Sequence, residues 1–163
     1  MITKLTLGLY QTNTYILSND SEALVIDPGY EADTILDALA GKTLKAILLT
    51  HGHFDHVGAV KELVAETGCE VWIHAAEATM PPMVTAGPLY FTHTYDEGDT
   101  VSPIAGLELT VLHTPGHTPG GDPRKMMESL RRLASLQGNF FIHPGHGGST
   151  TLDAEKRFNP YMH

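Results

Sequence analysis

The sequence predicts an α/β layered fold, and two observations support this prediction. Short, wholly apolar runs at residues 23–26 and 46–49 are typical of strands that are buried on both faces. Segments with apolar residues at helical spacing follow these runs, and a glycine ends each of them. Alternation of buried strands with amphipathic helices is expected of a sheet that is covered by helices.

The elements of the first half follow in order. Leu5, Leu7 and Leu9 alternate with polar residues, which predicts a half-buried first strand. Residues 14–17 and 23–26 predict two more strands, the second ending at a tight turn, Asp27-Pro28-Gly29. The next predicted elements are a helix over 32–39 that ends before Gly41, a strand over 46–49, a helix around 60–64 that ends at Gly68, and a strand over 70–74.

The second half is less regular. Prolines and scattered aromatic residues over 75–103 predict a long loop with one short helix. Alternating leucines predict a strand over 107–112, and Asp122 followed by Pro123 predicts an N-cap and first turn of a helix. A last strand over 140–142 and a helix beginning near Thr151 complete the chain. No repeat or linker interrupts it, so we expect a single domain over residues 1–163.

The composition argues against a nucleic-acid partner and against a membrane-spanning segment. The net charge is −9, with ten basic against nineteen acidic residues, and this argues against a nucleic-acid partner, whose phosphates require Lys and Arg. No apolar run approaches the length of about 20 residues that a membrane span needs. The N-terminus lacks the pattern of a signal peptide, which favours a cytoplasmic location. The single cysteine, Cys69, excludes an internal disulfide and is expected to be a packed residue rather than a nucleophile.

Four side chains that can bind metal lie within the six residues 51–56. They follow a buried strand at its carboxyl end, where ligands collect in open α/β sheets. Residues two apart in an extended loop point the same way, so His51 and His53 can converge on one ion while Asp55 and His56 face a second. Asp55 alone could instead cap the following helix. Imidazole with carboxylate favours zinc, iron, manganese or cobalt over calcium or magnesium, and the cluster predicts a metal site.

Two later histidines repeat this arrangement. His117 lies in the turn His113-Thr114-Pro115-Gly116-His117 after one predicted strand, and His146 lies in Pro144-Gly145-His146-Gly147-Gly148 after another. Each alone is a weak signal, but with the first loop they supply ligands from three strand ends. His113 and His143 could orient neighbouring groups or simply end their strands near the surface. His74, His93 and His163 belong to no cluster.

These three motifs resemble the metallo-β-lactamase superfamily, and within it the glyoxalase II-like (hydroxyacylglutathione hydrolase-like) small hydrolases. The resemblance implies an αβ/βα four-layer sandwich with metals at one edge of its two sheets. It also implies that His51, His53 and His117 bind a first ion, and that Asp55, His56 and His146 bind a second. The implied metal is Zn²⁺, as one or two ions, with iron or manganese as alternatives.

The chain departs from the family at one place. Family members run from the H-T-P-G-H turn through a strand pair to an Asp that bridges the two metals. Here only residues 118–122 separate His117 from the helix at Pro123. This strand pair and its Asp are therefore missing from the sequence, either because the chain lacks them or because the sequence leaves out a stretch that the chain contains. Asp122 is the nearest carboxylate, and we favour its role as an N-cap. The second half of the sandwich is therefore expected to be shortened.

The resemblance implies a hydrolase of small activated acyl compounds, most of all thioesters. A zinc-type ion lowers the pKa of its water to about 7, and the resulting hydroxide would attack the carbonyl while Asp55 orients it. One alternative is an iron-dependent enzyme like the persulfide dioxygenases. Another is a catalytically impaired metal-binding variant that acts as a scaffold. The lost strand pair would expose a sheet edge, so we also expect a homo-oligomer in which residues 122–163 are exchanged between subunits.

Overall fold

The computed structural model describes residues 1–85, 87–118 and 121–162, which group into two compact units, Met1–Val111 and Leu112–His163. The expectation of a single domain stays a prediction. The longest helix in the described part of the chain has 13 residues, and none of the helices there could span a bilayer.

A six-stranded sheet forms the centre of the first unit, with its strands side by side in chain order. They are β1 (Ile2–Leu7), β2 (Thr12–Ser18), β3 (Glu22–Ile26), β4 (Thr43–Leu49), β5 (Glu70–His74) and β6 (His93–Tyr95). The first three strands pair antiparallel, whereas β3 to β6 pair parallel. The carboxyl ends of β3, β4 and β5 therefore meet at one edge of the sheet.

Four helices lie between the parallel strands: α1 (Ala32–Ala38), α2 (Phe54–Val57), α3 (Val60–Thr67) and α4 (Pro82–Thr85). Alternate side chains of the sheet pack on its two faces, as the pleat of a strand requires. On one face Ile47 and Val71 belong to a buried cluster with Ile35 of α1 and Leu63 of α3. The helices thus cover this face of the sheet and fix the loops at its edge.

The opposite face is covered by a short hairpin-like pair, β7 (Thr100–Val101) and β8 (Leu109–Thr110). Leu24 and Leu48 of the large sheet form a second buried cluster with Val101 and Ile104. The described part of the first unit therefore has three layers: helices, the six-stranded sheet and this small second sheet.

The second unit contains α5 (Pro123–Ser135), β9 (Phe141–Ile142), β10 (Thr150–Thr151) and α6 (Leu152–Phe158). The two strands pair antiparallel. Asp122 caps α5, since its Oδ1 accepts hydrogen bonds from the backbone N–H groups of Arg124 (3.0 Å) and Lys125 (3.3 Å). The predicted N-cap is confirmed, and this role occupies the only carboxylate that lies near His117 in the sequence.

Some predicted elements were wrong. Leu9 does not belong to the first strand, because the chain turns at Gly8 (φ 68°) and leaves Leu9 96% exposed. The region 75–103 contains the expected short helix, but it also contains β6 and β7, whose two or three residues are too few to show a periodicity. The strand expected over 107–112 is only Leu109–Thr110.

Candidate metal centre

The residues 50–56, hereafter the histidine loop, comprise the connection from β4 to α2 and the first three residues of α2, at the carboxyl edge of the sheet. The side chains of His51, His53, Asp55 and His56 lie together there. His51 Nε2 is 3.0 Å from His53 Nδ1, and the ring centroids of His51 and His56 are 4.1 Å apart. His56 Nε2 lies 3.6 Å from Asp55 Oδ2. The loop thus concentrates three imidazoles and one carboxylate in a single small volume.

The residue that organises this loop is Asp27, at the carboxyl end of the neighbouring strand β3. Its Oδ1 accepts a hydrogen bond from the backbone N–H of Thr50 (2.7 Å), and its Oδ2 accepts one from the Thr50 hydroxyl (2.6 Å). His56 Nδ1 donates to the same Oδ2 (2.9 Å). A histidine that donates from one nitrogen to a carboxylate presents the other nitrogen to an ion, which is the arrangement found around protein-bound metals.

The sequence predicts Asp27 only as part of a turn. A signal was available, because Asp27 is an acidic residue directly after a wholly apolar strand that neighbours the strand of the histidine loop. The residue is 2% exposed and has a φ of 50°, in the left-handed region that few side chains other than Asn and Asp adopt. Such a backbone persists only where the surrounding structure holds it.

The carboxylates control the charge of His56. Burial of the ring lowers the pKa of His56, but the hydrogen bond and charge of Asp27 and the charge of Asp55 outweigh burial and hold the pKa above its usual value. Asp55 is itself buried and accepts a hydrogen bond from the Thr12 hydroxyl (3.3 Å). In this environment a positive charge is favoured at the position of His56.

The turn after β3 also fixes the backbone of α2. Ala59 N donates a hydrogen bond to Pro28 O (3.0 Å). A Cβ atom on Gly29 would lie 1.8 Å from the backbone oxygen of Asp55, and one on Gly58 would lie 2.2 Å from Gly29 O. Only glycine fits at either position, so the turn after β3 packs directly against the backbone of α2.

The imidazole nitrogens and carboxylate oxygens of the histidine loop are suitable ligands for a divalent metal ion. Donor atoms of Asp27, His51 and His56 lie within 4.8 Å of one another, and His53 and Asp55 adjoin them in the same loop. Nitrogen with carboxylate oxygen suits zinc, iron or manganese better than calcium or magnesium. His51, His53, Asp55 and His56 could therefore hold such an ion.

The other two proposed ligands, His117 and His146, are exposed residues of the second unit. The turn before His117 is tight: Asp122 N donates to Gly116 O (2.8 Å), and a Cβ on Gly116 would lie 2.3 Å from Met126 N. The convergence of His117 and His146 with the histidine loop stays a prediction.

The remaining histidines have other contacts. His113 accepts a hydrogen bond at its backbone oxygen from Arg132 Nη1 (3.0 Å), and His143 Nδ1 lies 3.2 Å from Ser149 Oγ. His93 stacks on Trp72 with ring centroids 4.3 Å apart, and His74 Nε2 is 3.5 Å from Asp96 Oδ1. His163 lies outside the described residues.

Cys69 is a packed residue, as expected. It is 6% exposed and belongs to the main buried cluster. Burial raises the pKa of its thiol, which keeps the sulfur protonated at neutral pH.

The profile of the metallo-β-lactamase superfamily matches residues 7–123. The chain belongs to the metallo-β-lactamase superfamily. Among superfamily members with a related sequence, the Haemophilus influenzae hydroxyacylglutathione hydrolase GloC is 28% identical, over 94% of this chain and 93% of its own length. The predicted family is thus confirmed, with glyoxalase II enzymes among its relatives.

Solved structures of the superfamily share the fold. The BLEG-1 B3 metallo-β-lactamase aligns with a TM-score of 0.88 at 28% identity, covering 99% of both chains. TTHA1623 in a di-iron-bound form aligns with a TM-score of 0.78 at 30% identity, covering 98% of this chain and 99% of the other. The predicted fold class is confirmed.

GloC is longer than this chain. The alignment runs over 201 positions, although this chain has only 163 residues, so GloC has more than thirty residues with no counterpart here. The chain is therefore shorter than GloC within the aligned region.

Proposed function

We propose that the protein is a metal-dependent hydrolase of small activated acyl compounds, with thioesters as its substrate class. The observation that carries the proposal is the histidine loop itself, in which three imidazoles and Asp55 converge while Asp27 holds both ends of the loop. The name of the relative GloC, a hydroxyacylglutathione hydrolase, supports the substrate class.

The proposed ligand sets are those of the family motifs. His51, His53 and His117 would hold a first ion, and Asp55, His56 and His146 a second. We propose zinc as the metal, with iron and manganese as alternatives; the di-iron form of TTHA1623 supports iron as a metal that this fold accepts. When bound, the ion would supply a Lewis acid that polarises a carbonyl and acidifies water.

The residues of the chain would act by orientation and charge. Asp27 fixes the His56 ring through Nδ1, so that Nε2 faces the site. Asp55, our candidate catalytic residue, is fixed by Thr12 and can accept a proton or hydrogen bond from a nucleophilic water. A thiolate leaving group, from a thiol with a pKa near 8.5, needs little protonation, so a thioester requires no separate general acid.

The surface beside the loop suits the apolar part of a small acyl group. Tyr10, in the β1–β2 turn, contacts the Phe54 ring edge-on, with centroids 5.2 Å apart. Tyr10 is 58% and Phe54 36% exposed. Phe54 lies next to His53 and Asp55 in the sequence, so this aromatic pair would border the reacting carbonyl.

The proposal is tested by stripping the purified protein with a chelator and reloading it separately with zinc, manganese or ferrous iron. Metal content and thiol release from a hydroxyacylglutathione and from a simple acyl thioester are then measured. We expect binding of at least one of these metals, and thioester hydrolysis that depends on it. A protein that binds metal but releases no thiol would contradict the proposed reaction.

A second candidate is an iron-dependent enzyme that resembles the persulfide dioxygenases, and it is supported by the structure of ETHE1 from Myxococcus xanthus, which aligns with a TM-score of 0.81 at 25% identity. Oxygen consumption by the iron-loaded protein, with a persulfide and without thioester hydrolysis, would favour it. A metal-binding scaffold would show neither activity. The cytoplasmic location expected from the sequence stays a prediction.

A further inference from the structure

A second buried carboxylate contacts the histidine loop from the side opposite Asp27. Glu77 follows β5, at the same edge of the sheet, and is 7% exposed. Its Oε2 accepts a hydrogen bond from the backbone N–H of Gly52 (3.2 Å) in a buried setting. Gly52 is the residue between His51 and His53, so Glu77 contacts the backbone that separates the two imidazoles.

The segment around Glu77 also limits where that backbone can lie. A Cβ atom on Gly52 would be 2.9 Å from Leu89 Cδ1 and 3.1 Å from Met80 Sδ. Gly52 is itself buried, and Glu77, Met80 and Leu89 lie against it. The histidine loop is therefore supported at both sides, by the turn after β3 and by the segment after β5.

Tyr95, the last residue of β6, contacts the end of β4 directly before the histidine loop. Its hydroxyl donates a hydrogen bond to the backbone oxygen of Leu49 (2.5 Å), the last residue of β4. Burial raises the pKa of Tyr95, and the charges of Asp27 and Glu77 raise it further. The phenol therefore stays neutral and remains a donor, which holds the end of β4 from which the histidine loop starts.

We propose that Glu77 is a positioning residue of the metal centre: it fixes the backbone between His51 and His53 and thereby raises the affinity of the loop for a divalent cation. This inference rests on the proposed function, in which the loop binds metal. A carboxylate that accepts from a backbone N–H makes a stronger hydrogen bond than a neutral acceptor does. Its burial is favourable only where such partners or a nearby cation compensate its charge.

The test is the dissociation constant for Zn²⁺ of the full chain, measured by competition with a chromogenic chelator. Groups that orient metal ligands typically change metal affinity by about 10–100-fold when they are removed, so Glu77→Ala should weaken zinc binding within that range. Glu77→Asp keeps the charge but draws the carboxylate away from Gly52, and it should weaken binding in the same direction. Glu77→Gln keeps an oxygen acceptor and should restore much of the affinity.

Glu66→Gln, on the exposed end of α3, is the matched control and should bind zinc as the wild type does. If the wild type itself binds no zinc, manganese or iron, the proposed function fails.

If the wild type binds zinc, and Glu77→Ala and Glu77→Asp bind it as tightly as the wild type does, the inference about Glu77 is overturned. Should Glu77→Ala fail to fold, the dissociation constants of Glu77→Asp and Glu77→Gln are compared instead, and equal values for these two variants would overturn the inference. A lower melting temperature with an unchanged dissociation constant would show a structural role only and would also overturn it.

Discussion

Asp27 and His56 are 29 positions apart in the sequence, yet Asp27 Oδ2 and His56 Nδ1 lie 2.9 Å apart with both side chains 3% exposed. The same carboxylate binds Thr50 through both its backbone N–H and its hydroxyl. One buried side chain therefore fixes the first residue and the last residue of the histidine loop. Hydrogen bonds within the protein thus hold the loop in place, and such preorganisation lowers the cost of ordering its ligands.

The first prediction concerns the ligands. His53→Ala should lower metal content and abolish hydrolysis, because it removes an imidazole from the centre of the loop. Metal content by mass spectrometry and thiol release from a thioester check this prediction. His93→Ala is the control: His93 is exposed and stacks on Trp72, so neither quantity should change. Full metal content and activity in His53→Ala would show that the loop is not the site.

The second prediction concerns pH. In the metal-free protein the pKa of His56 is raised above 6.5 in the folded state, so the folded chain binds this proton more tightly than the unfolded chain. The resulting stabilisation is fully present below pH 6.5 and is lost as the pH rises through the raised pKa. Asp27→Asn removes the main cause of the raised pKa. The melting temperature of the chelator-treated wild type should therefore fall more steeply above pH 6.5 than that of Asp27→Asn, and parallel profiles would contradict this.

The third prediction concerns the backbone contact under α2. Gly29→Ala should destabilise the fold by about 3 kcal/mol or more, because the new methyl group would lie 1.8 Å from Asp55 O and neither backbone can yield without moving the histidine loop. Urea unfolding at fixed pH measures this loss. Gly41→Ala is the comparison: it has a positive φ of 80° and nothing within 4 Å, so it should cost only about 1–2 kcal/mol of conformational energy. Equal losses in the two variants would show that the contact at Gly29 is not restrictive.

The fourth prediction concerns substrate choice. Small acyl thioesters should be hydrolysed with a higher kcat/KM than β-lactams, although the fold is shared with a B3 metallo-β-lactamase. The expectation follows from the likeness to the glyoxalase II-like enzymes and from the good leaving group of a thioester. Steady-state rates with both substrate classes and the same metal-loaded sample are the measurement. Efficient β-lactam hydrolysis without thioesterase activity would reverse the assignment.

The fifth prediction concerns assembly. If the chain itself lacks the strand pair, this loss and the short connection over 118–122 favour a homodimer or higher oligomer in which residues 122–163 are exchanged, with His146 completing a site on the partner. Several aromatic side chains of the second unit are exposed, as expected for a surface that another chain covers: Phe140 50%, Phe141 81%, Phe158 75% and Tyr161 64%. Light scattering after size exclusion measures the mass, and a monomer that persists at low micromolar concentration would refute this prediction.

The sequence by itself determined the first five strands of the central sheet and the histidine loop. Buried parallel strands are wholly apolar, so the runs at 23–26 and 46–49 were sufficient to locate β3 and β4. The loop was recognisable because its four candidate ligands lie within six residues of the sequence. The cap at Asp122 was recognisable for the same reason, since capping depends on residues that are neighbours in the chain.

Only the tertiary structure identified Asp27 and Glu77 as neighbours of the histidine loop. Asp27 and Glu77 lie 23 and 25 positions away from their hydrogen-bond partners. The position of Asp27 directly after an apolar strand is a single local signal, whereas no local pattern distinguishes Glu77 from the other acidic residues. The parallel pairing of β3, β4 and β5 brings their carboxyl ends together, and that pairing depends on register between distant strands. The side chains that can bind a metal are predictable from the sequence alone. The buried carboxylates that hold them in position are determined by the pairing of the strands in the sheet.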